Sequence, residues 1–330
     1  MVTAPIQASE REDAVLTSQG SLPAIEAELN AGLSTLQATV SPKYLYDALG
    51  SRLFTAICEL QEYYPTRTEA AVFNACSDEI AASVGRGMTL IDLGAGDCSK
   101  AERLFSSFQP RQYVAVDISE DFLKESLGRL RERFKRTDML GLSMDFSRTL
   151  ELPDSVHCNK RLFFYPGSSI GNFSPREATA FLQRLRKACE CGGRSEGGLL
   201  IGVDLVKDEA ILNAAYDDEL GVTAAFNLNL LRHLNRLLGA DFRTEDWKHK
   251  AFFNAQESRI EMHLVAQSNV TVRWRSGRRR FEKGESIHTE NSYKYTQKGF
   301  LSLLEQAGFG NARIWTDPQK WFMVCHADAV

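Results

Sequence analysis

The sequence has no apolar run approaching the ~18 residues that a membrane span requires, so no transmembrane helix is expected. The first residues are polar and acidic, Ser9-Glu10-Arg11-Glu12-Asp13, without the apolar stretch of a secretory signal, which points to the cytoplasm. A surplus of positive charge is also missing: the formal net charge is −4 over 330 residues. Proteins that neutralise phosphates need excess Lys and Arg, so nucleic acid is excluded as the main partner. The run Arg278-Arg279-Arg280 does not alter this, because it follows a Ser276-Gly277 turn and reads as a solvated strand edge. Seven cysteines are scattered, with only Cys189 and Cys191 close together, and the six histidines never fall at His-x-x-x-His spacing. Free thiols and no metal are the expectation.

One further absence decides the kind of ligand. A short apolar run, Met88 to Ile91, ends in Asp92-Leu93-Gly94-Ala95-Gly96 and passes into Lys100-Ala101-Glu102-Arg103-Leu104-Phe105, which reads as helix. Strand, tight turn and helix start make a nucleotide-binding unit, in which glycine lets the backbone approach a ligand and the helix N-terminus adds unpaired N–H groups. A dinucleotide fingerprint would place a third glycine where Ser99 stands. An NAD-dependent oxidoreductase is therefore a poor fit. Two glycines with an acidic residue two before the first suit S-adenosylmethionine (SAM), which has no pyrophosphate. The run Tyr113-Val114-Ala115-Val116-Asp117 supports this, since a strand ending in a carboxylate can accept hydrogen bonds from both ribose hydroxyls. The plainer alternative is a tight turn at Gly94 and Gly96 with Asp117 capping the next helix.

In chain order, residues 1–19 read as a loosely attached tail and Ala24 to Leu36 as a first helix. Lys43 to Gly50 begins like a helix and stops at a glycine. Tyr63-Tyr64-Pro65 reads as an irregular segment able to present phenol hydroxyls, although Tyr46, Tyr63 and Tyr64 could equally pack a helix pair. Strands at 113–117, 139–144, 161–165 and 198–204 alternate with helices at 121–136 and 175–189. Such alternation predicts a doubly wound α/β fold, a parallel sheet with helices on both faces. Ligands then sit at the carboxyl ends of the strands, where Gly94, Asp117, Asp145 and Gly167 fall. From Val206 to Leu238 the chain turns helical; Arg259 to Val265 reads as a strand and 269–281 as a hairpin. The expected division is a Rossmann-like domain of residues 67–205 and 293–330, with a mixed α+β substrate domain of 20–66 and 206–292.

Several longer strings then become informative together. Tyr46-Asp47, Glu62-Tyr63-Tyr64-Pro65-Thr66-Arg67-Thr68-Glu69, Gly167-Ser168-Ser169-Ile170-Gly171-Asn172, Asp204-Leu205-Val206-Lys207-Asp208, Ala215-Tyr216-Asp217-Asp218, Gly221 to Asn227 and Ile260-Glu261-Met262 resemble the L-histidine Nα-methyltransferases of ergothioneine biosynthesis. The resemblance runs from about residue 30 to the C-terminus. It implies a class I SAM methyltransferase fold and three methyl transfers from SAM to the α-amino group of free histidine, giving hercynine. It further implies that Glu290 and Ser292 hold the imidazole beside Met262. Tyr46, Tyr63, Gly167, Asn172 and Tyr216 would surround the α-amino and carboxylate groups, with Tyr46 and Asn172 nearest the chemistry. Gly94, Lys100, Asp117, Asp145 and Phe146 would contact the cofactor, with no metal required and a monomer as the expected state. The chemistry is coherent: an imidazole offers one donor and one acceptor, which a carboxylate and a hydroxyl can meet, whereas an indole offers only a donor. Relatives in the wider family methylate tryptophan derivatives, so another amino acid remains the main alternative, with a non-catalytic SAM-binding regulator behind it.

Overall fold

A computed structural model of the chain describes residues 15–18, 21–191 and 194–330. Among the described residues, eight strands form one sheet in the order Val15–Ser18, Asp138–Met144, Gln112–Asp117, Thr89–Leu93, Arg161–Tyr165, Gly198–Asp204, Phe322–Ala329, Phe309–Thr316. The pairs from Val15–Ser18 to Gly198–Asp204 are parallel; Phe322–Ala329 runs antiparallel to both its neighbours. The central strands are apolar almost throughout because helices cover both faces. Side chains alternate between those faces. Ile91, Leu93, Val114, Phe163 and Ile201 pack with Phe181, Leu182 and Leu185 of the helix Pro175–Ala188. Leu90, Tyr113, Phe164 and Leu200 pack on the other side with Leu123, Leu127 and Leu130 of the helix Glu120–Arg133. The first of these helices starts where its sequence dictates, at a reciprocal Ser174–Glu177 capping box followed by Pro175.

A second sheet of four strands, Trp247–Asn254, Arg259–Ala266, Ser286–Tyr293 and Ala38–Thr39, carries its own apolar cluster. The helix Val222–Leu238 supplies Phe226, Leu230, Leu231, Leu234 and Leu238 to it, a stripe at helical spacing. That helix is capped by Asp218, whose carboxylate accepts from the N–H groups of Val222 at 2.9 Å and Thr223 at 2.7 Å. The expected hairpin is present as Val270–Trp274 and Gly277–Phe281.

Several expectations need correction. The expected tail lies outside the described residues except for Val15–Ser18, which is an edge strand beside Asp138–Met144. Four residues are too few to show periodicity. Cys58, Cys76, Cys98, Cys189 and Cys325 are free, but Cys158 is disulfide-bonded, because spacing along a chain does not show which thiols the fold joins. Gly50 does not stop a helix; it lies in the first turn of Ala48–Cys58, where a Cβ would come within 1.8 Å of the Leu45 carbonyl oxygen. Tyr64 and Pro65 are not irregular but open the helix Tyr64–Ala75, with Pro65 in its first turn. Lys100 to Phe105 is broken into Ser99–Glu102 and Phe105–Phe108. The strands Trp247–Asn254 and Ser286–Tyr293 were not legible, because polar residues interrupt their alternation. Glu261, His263 and His288 come within 4.8 Å of one another across this second sheet. The two imidazoles stack nearly parallel, their centroids 4.6 Å apart, so their in-plane lone pairs do not converge.

Candidate active site

The sheet's carboxyl edge carries the nucleotide loop. Thr89–Leu93 is buried along its whole length, and the loop after it turns through left-handed backbone at Gly94 (φ 71°) and Gly96 (φ 52°). This is the conformation that glycine adopts without a Cβ penalty. The Gly96 N–H donates to Asp117 Oδ2 at 2.9 Å and the Ser119 N–H to Oδ1 at 3.0 Å. Burial raises the Asp117 carboxyl above the usual range, and those N–H groups oppose the shift. Each oxygen keeps a lone pair for a ligand. Asp92 lies deeper: Tyr113 donates to Oδ2 at 2.7 Å, Oδ1 has no partner among the described residues, and burial pushes the carboxyl up to about 7.

Two residues on the cavity wall have no role that the sequence pattern announces. Glu69, on the helix Tyr64–Ala75, accepts from Lys100 at 2.7 Å through Oε2 and from the Gly167 N–H at 2.7 Å through Oε1. It thereby joins Lys100 to the Gly167 loop. Asn291 carries a buried Oδ1 with no partner among the described residues. In sequence nothing local distinguishes Glu69 from an exposed helix carboxylate.

Gly94, Lys100, Asp117, Asp145, Phe146, Gly167, Asn172, Tyr46 and Tyr63 all line one cavity of about 1070 Å³. Small-molecule pockets are typically ~300–1,000 Å³, so this one has room for a nucleoside-bearing ligand together with a small second molecule. Phe146 stands edge-on to Tyr165 at 5.9 Å. Asp145 accepts from the Ser147 hydroxyl, from Lys43 at 2.9 Å and from the Ser147 N–H at 3.2 Å, and these partners hold its carboxyl low despite burial. Tyr46 packs edge-on against Phe54 and Phe226, both at 5.5 Å.

Tyr216, Met262, Glu290 and Ser292 stand off that wall and form a cluster beside it, Tyr216 lying 6.1 Å from the ring of Tyr63. Strand register creates the cluster: Met262 faces Glu290 and Ile260 faces Ser292. Glu290 and Ser292, two apart, share a face of the sheet. Glu290 Oε2 is buried without a partner among the described residues. Burial pushes this carboxyl up to about 7, with the Lys294 ammonium pulling partly the other way. Burial also raises the Tyr46 and Tyr63 phenols well above their usual range, with Glu290 among the charges adding to the shift. The Gly167–Asn172 loop backs onto the same strand so closely that a Cβ at Gly171 would lie 2.8 Å from the Tyr293 carbonyl oxygen.

Below these groups lies a buried ionic network that the sequence reading missed. Asp204, at the end of its strand, accepts from Lys294 at 2.7 Å, from Tyr64 at 2.7 Å and from Lys207. Its N–H donates to Ser168 at 2.8 Å. Lysine is ordinarily a surface residue, so no local pattern announces the burial of these two.

The sheet order, the glycine loop and the carboxylate at the next strand end define a nucleotide-binding α/β enzyme of the methyltransferase kind. The family described as histidine-specific methyltransferase, SAM-dependent, matches residues 25–329, and the chain belongs to that family. The chain is 36% identical over 310 residues to the histidine N-alpha-methyltransferase of Mycolicibacterium smegmatis, covering 92% of this chain and 94% of that protein. It is 36% identical over 301 residues to the protein of the same name from Mycobacterium tuberculosis, covering 89% and 91%. It is also 29% identical over 278 residues to the ergothioneine biosynthesis protein 1 of Schizosaccharomyces pombe, covering 80% of this chain and 35% of that longer protein. The methyl donor is accordingly SAM. Among the described residues no helix is long and apolar enough to cross a membrane.

Proposed function

We propose that this enzyme methylates the α-amino group of free L-histidine three times, giving hercynine for ergothioneine biosynthesis. The observation that carries the substrate assignment is the buried, unpartnered Glu290 Oε2 opposite Met262, with the Ser292 hydroxyl two residues along the same face. Glu290 would accept the imidazole N–H, Ser292 would serve the other ring nitrogen, and Met262 would pack on the ring face. Tyr46, Tyr63, Gly167, Asn172 and Tyr216 would hold the backbone end of the substrate.

The residues at the other end of the cavity fit SAM. Asp117 has lone pairs for a ribose diol, Phe146 offers an aromatic edge for adenine, and Asp145 stands beside it. Gly94 leaves room where a Cβ would meet only Phe146, at 3.9 Å. Lys100 completes the set. When bound, SAM supplies an electrophilic methyl group on a sulfonium sulfur. The chain's own task is to present the amine uncharged and aligned, and a lining of phenols and an amide suits this, because a carboxylate beside the amine would favour its protonated form. Transfer moves positive charge from one atom to another, so orientation and exclusion of water are the main contributions expected of Tyr46 and Asn172. No metal is needed for this step, and a chelator should leave the rate unchanged.

Titration calorimetry tests the pocket. Glu290→Ala should weaken histidine binding on the order of 10- to 100-fold, the size of a lost hydrogen bond to a charged group, and leave SAM binding within about threefold, which is ~0.6 kcal/mol. Equal losses for both ligands would remove Glu290 from the substrate pocket.

A further inference from the structure

Lys294 has three N–H donors, and the structure accounts for all of them. One goes to Asp204 Oδ2 at 2.7 Å, one to Ser292 Oγ at 2.8 Å and one to the Tyr216 hydroxyl at 3.1 Å. The side chain is fully buried, and its ammonium also lies 4.8 Å from the centre of the Tyr216 ring. Asp204 is fixed in turn by Tyr64 and Lys207, and the backbone ties the two elements together where the Tyr295 N–H donates to the Asp204 carbonyl at 3.1 Å. Lys294 is therefore rigid and cannot reach for a ligand.

The consequence falls on Ser292. Tyr216 donates its hydroxyl proton to Ser292 Oγ at 2.8 Å, as expected for a phenol beside a less acidic aliphatic alcohol. With Lys294 donating as well, both acceptor positions of the Ser292 oxygen are filled. A serine hydroxyl has two lone pairs and one proton, so the proton alone is left to offer. A lone serine could rotate to serve either a donor or an acceptor; this one is committed as a donor.

We propose that Lys294 is a positioning residue for substrate specificity: acting through Ser292 and Tyr216, it makes the pocket demand a side-chain ring with an unprotonated nitrogen acceptor opposite Ser292. This deepens the histidine reading and rests on it. Glu290 takes the ring's N–H while Ser292 requires the acceptor, so the pair together fix one tautomer of a neutral imidazole. A five-membered ring with an N–H and no second nitrogen fills the same space but leaves the Ser292 proton unpaired, which costs about as much as an unmade hydrogen bond.

The test compares kcat/KM for histidine and for the better used of β-(pyrrol-3-yl)alanine and β-(pyrrol-2-yl)alanine, which keep the N–H at one or the other ring position and replace the second nitrogen by C–H. The wild-type enzyme is expected to prefer histidine by about tenfold or more, the worth of one hydrogen bond of ~1.4 kcal/mol. Lys294→Met is expected to shrink that preference severalfold, raising KM for histidine more than it lowers kcat. Lys294→Gln, which keeps two N–H donors, is expected to restore much of it. In a Ser292→Ala background Lys294→Met should no longer change the preference, because its route to the substrate is gone. S-adenosylhomocysteine binding, measured by calorimetry on each variant, verifies the fold. An unchanged preference in Lys294→Met, or an effect that persists undiminished without Ser292, overturns the proposal. Should the variants not fold, equal use of the two amino acids by the wild-type protein overturns it by itself, and a preference of tenfold or more supports it. Absence of histidine methylation by the wild-type protein is a different failure, that of the function proposed above.

Discussion

Glu290 is the residue on which the proposed substrate pocket depends, and its environment has a measurable signature. Its carboxyl stands at about 7 rather than 4.5 because burial disfavours the charged form. Below about pH 4.5 the folded and unfolded states both carry the proton, and the burial then costs nothing in linkage terms. As the pH climbs through 7 the unfolded chain ionises first, so stability attributable to this group is lost. Glu290→Gln removes the effect, so the ligand-free variant should gain stability relative to wild type between pH 5 and 8, by up to about 3 kcal/mol. Denaturant unfolding at the two pH values measures it, and a pH-independent difference would show that Glu290 is solvated. Glu69 supplies a second prediction. Glu69→Ala leaves the Lys100 ammonium and the Gly167 N–H without their acceptor, and S-adenosylhomocysteine should bind about tenfold more weakly, as for loss of one hydrogen bond near 1.4 kcal/mol; unchanged binding in calorimetry would make Glu69 a purely structural contact. In sequence, Glu290, Ser292 and Met262 were distinguishable only by resemblance. Local pattern alone reads a carboxylate near a strand end as solvated, and its burial comes from strands distant in sequence. Lys294 was hidden for the same reason.

At the scale of elements, the parallel strands were legible because burial on both faces makes them nearly continuous apolar runs. Arg161–Tyr165 and Gly198–Asp204 coincide with the sequence expectation to the residue. Trp247–Asn254 and Ser286–Tyr293 were not legible, because one face of the second sheet holds polar and ionic groups such as Glu261, His263 and His288, and the alternation is blurred. A bulge beside Met262 shifts the register there, and no sequence pattern announces it. The contact between the Gly167–Asn172 loop and the Ser286–Tyr293 strand gives an element-scale prediction. Gly171→Ala would place a Cβ 2.8 Å from the Tyr293 carbonyl oxygen and 3.1 Å from its nitrogen, backbone atoms that cannot move aside alone. The variant should lose on the order of 1–3 kcal/mol of stability and raise KM for histidine, with S-adenosylhomocysteine affinity nearly unchanged. A variant of wild-type stability and KM would mean that the loop and strand move independently.

At the scale of the whole molecule, the cavity wall draws on the large sheet through Gly94, Asp117 and Phe146 and on the N-terminal segment through Tyr46 and Tyr63. Lys43 links the two regions, donating to Asp145 at 2.9 Å and to Glu28 at 2.9 Å. A ligand that binds only the folded state should therefore stabilise both regions together. S-adenosylhomocysteine at 100 times its Kd is expected to add about 2.7 kcal/mol in a single unfolding transition. Two transitions, only one of them shifted, would show that residues 20–66 and 206–292 unfold as an independent domain. The central claim concerns the substrate, and it is tested most directly by mass spectrometry of the purified protein incubated with SAM and each free amino acid in turn. A gain of three methyl groups on histidine, and on no other amino acid, is the predicted result. Methylation of tryptophan or another amino acid in its place would contradict the assignment of Glu290 and Ser292 to an imidazole.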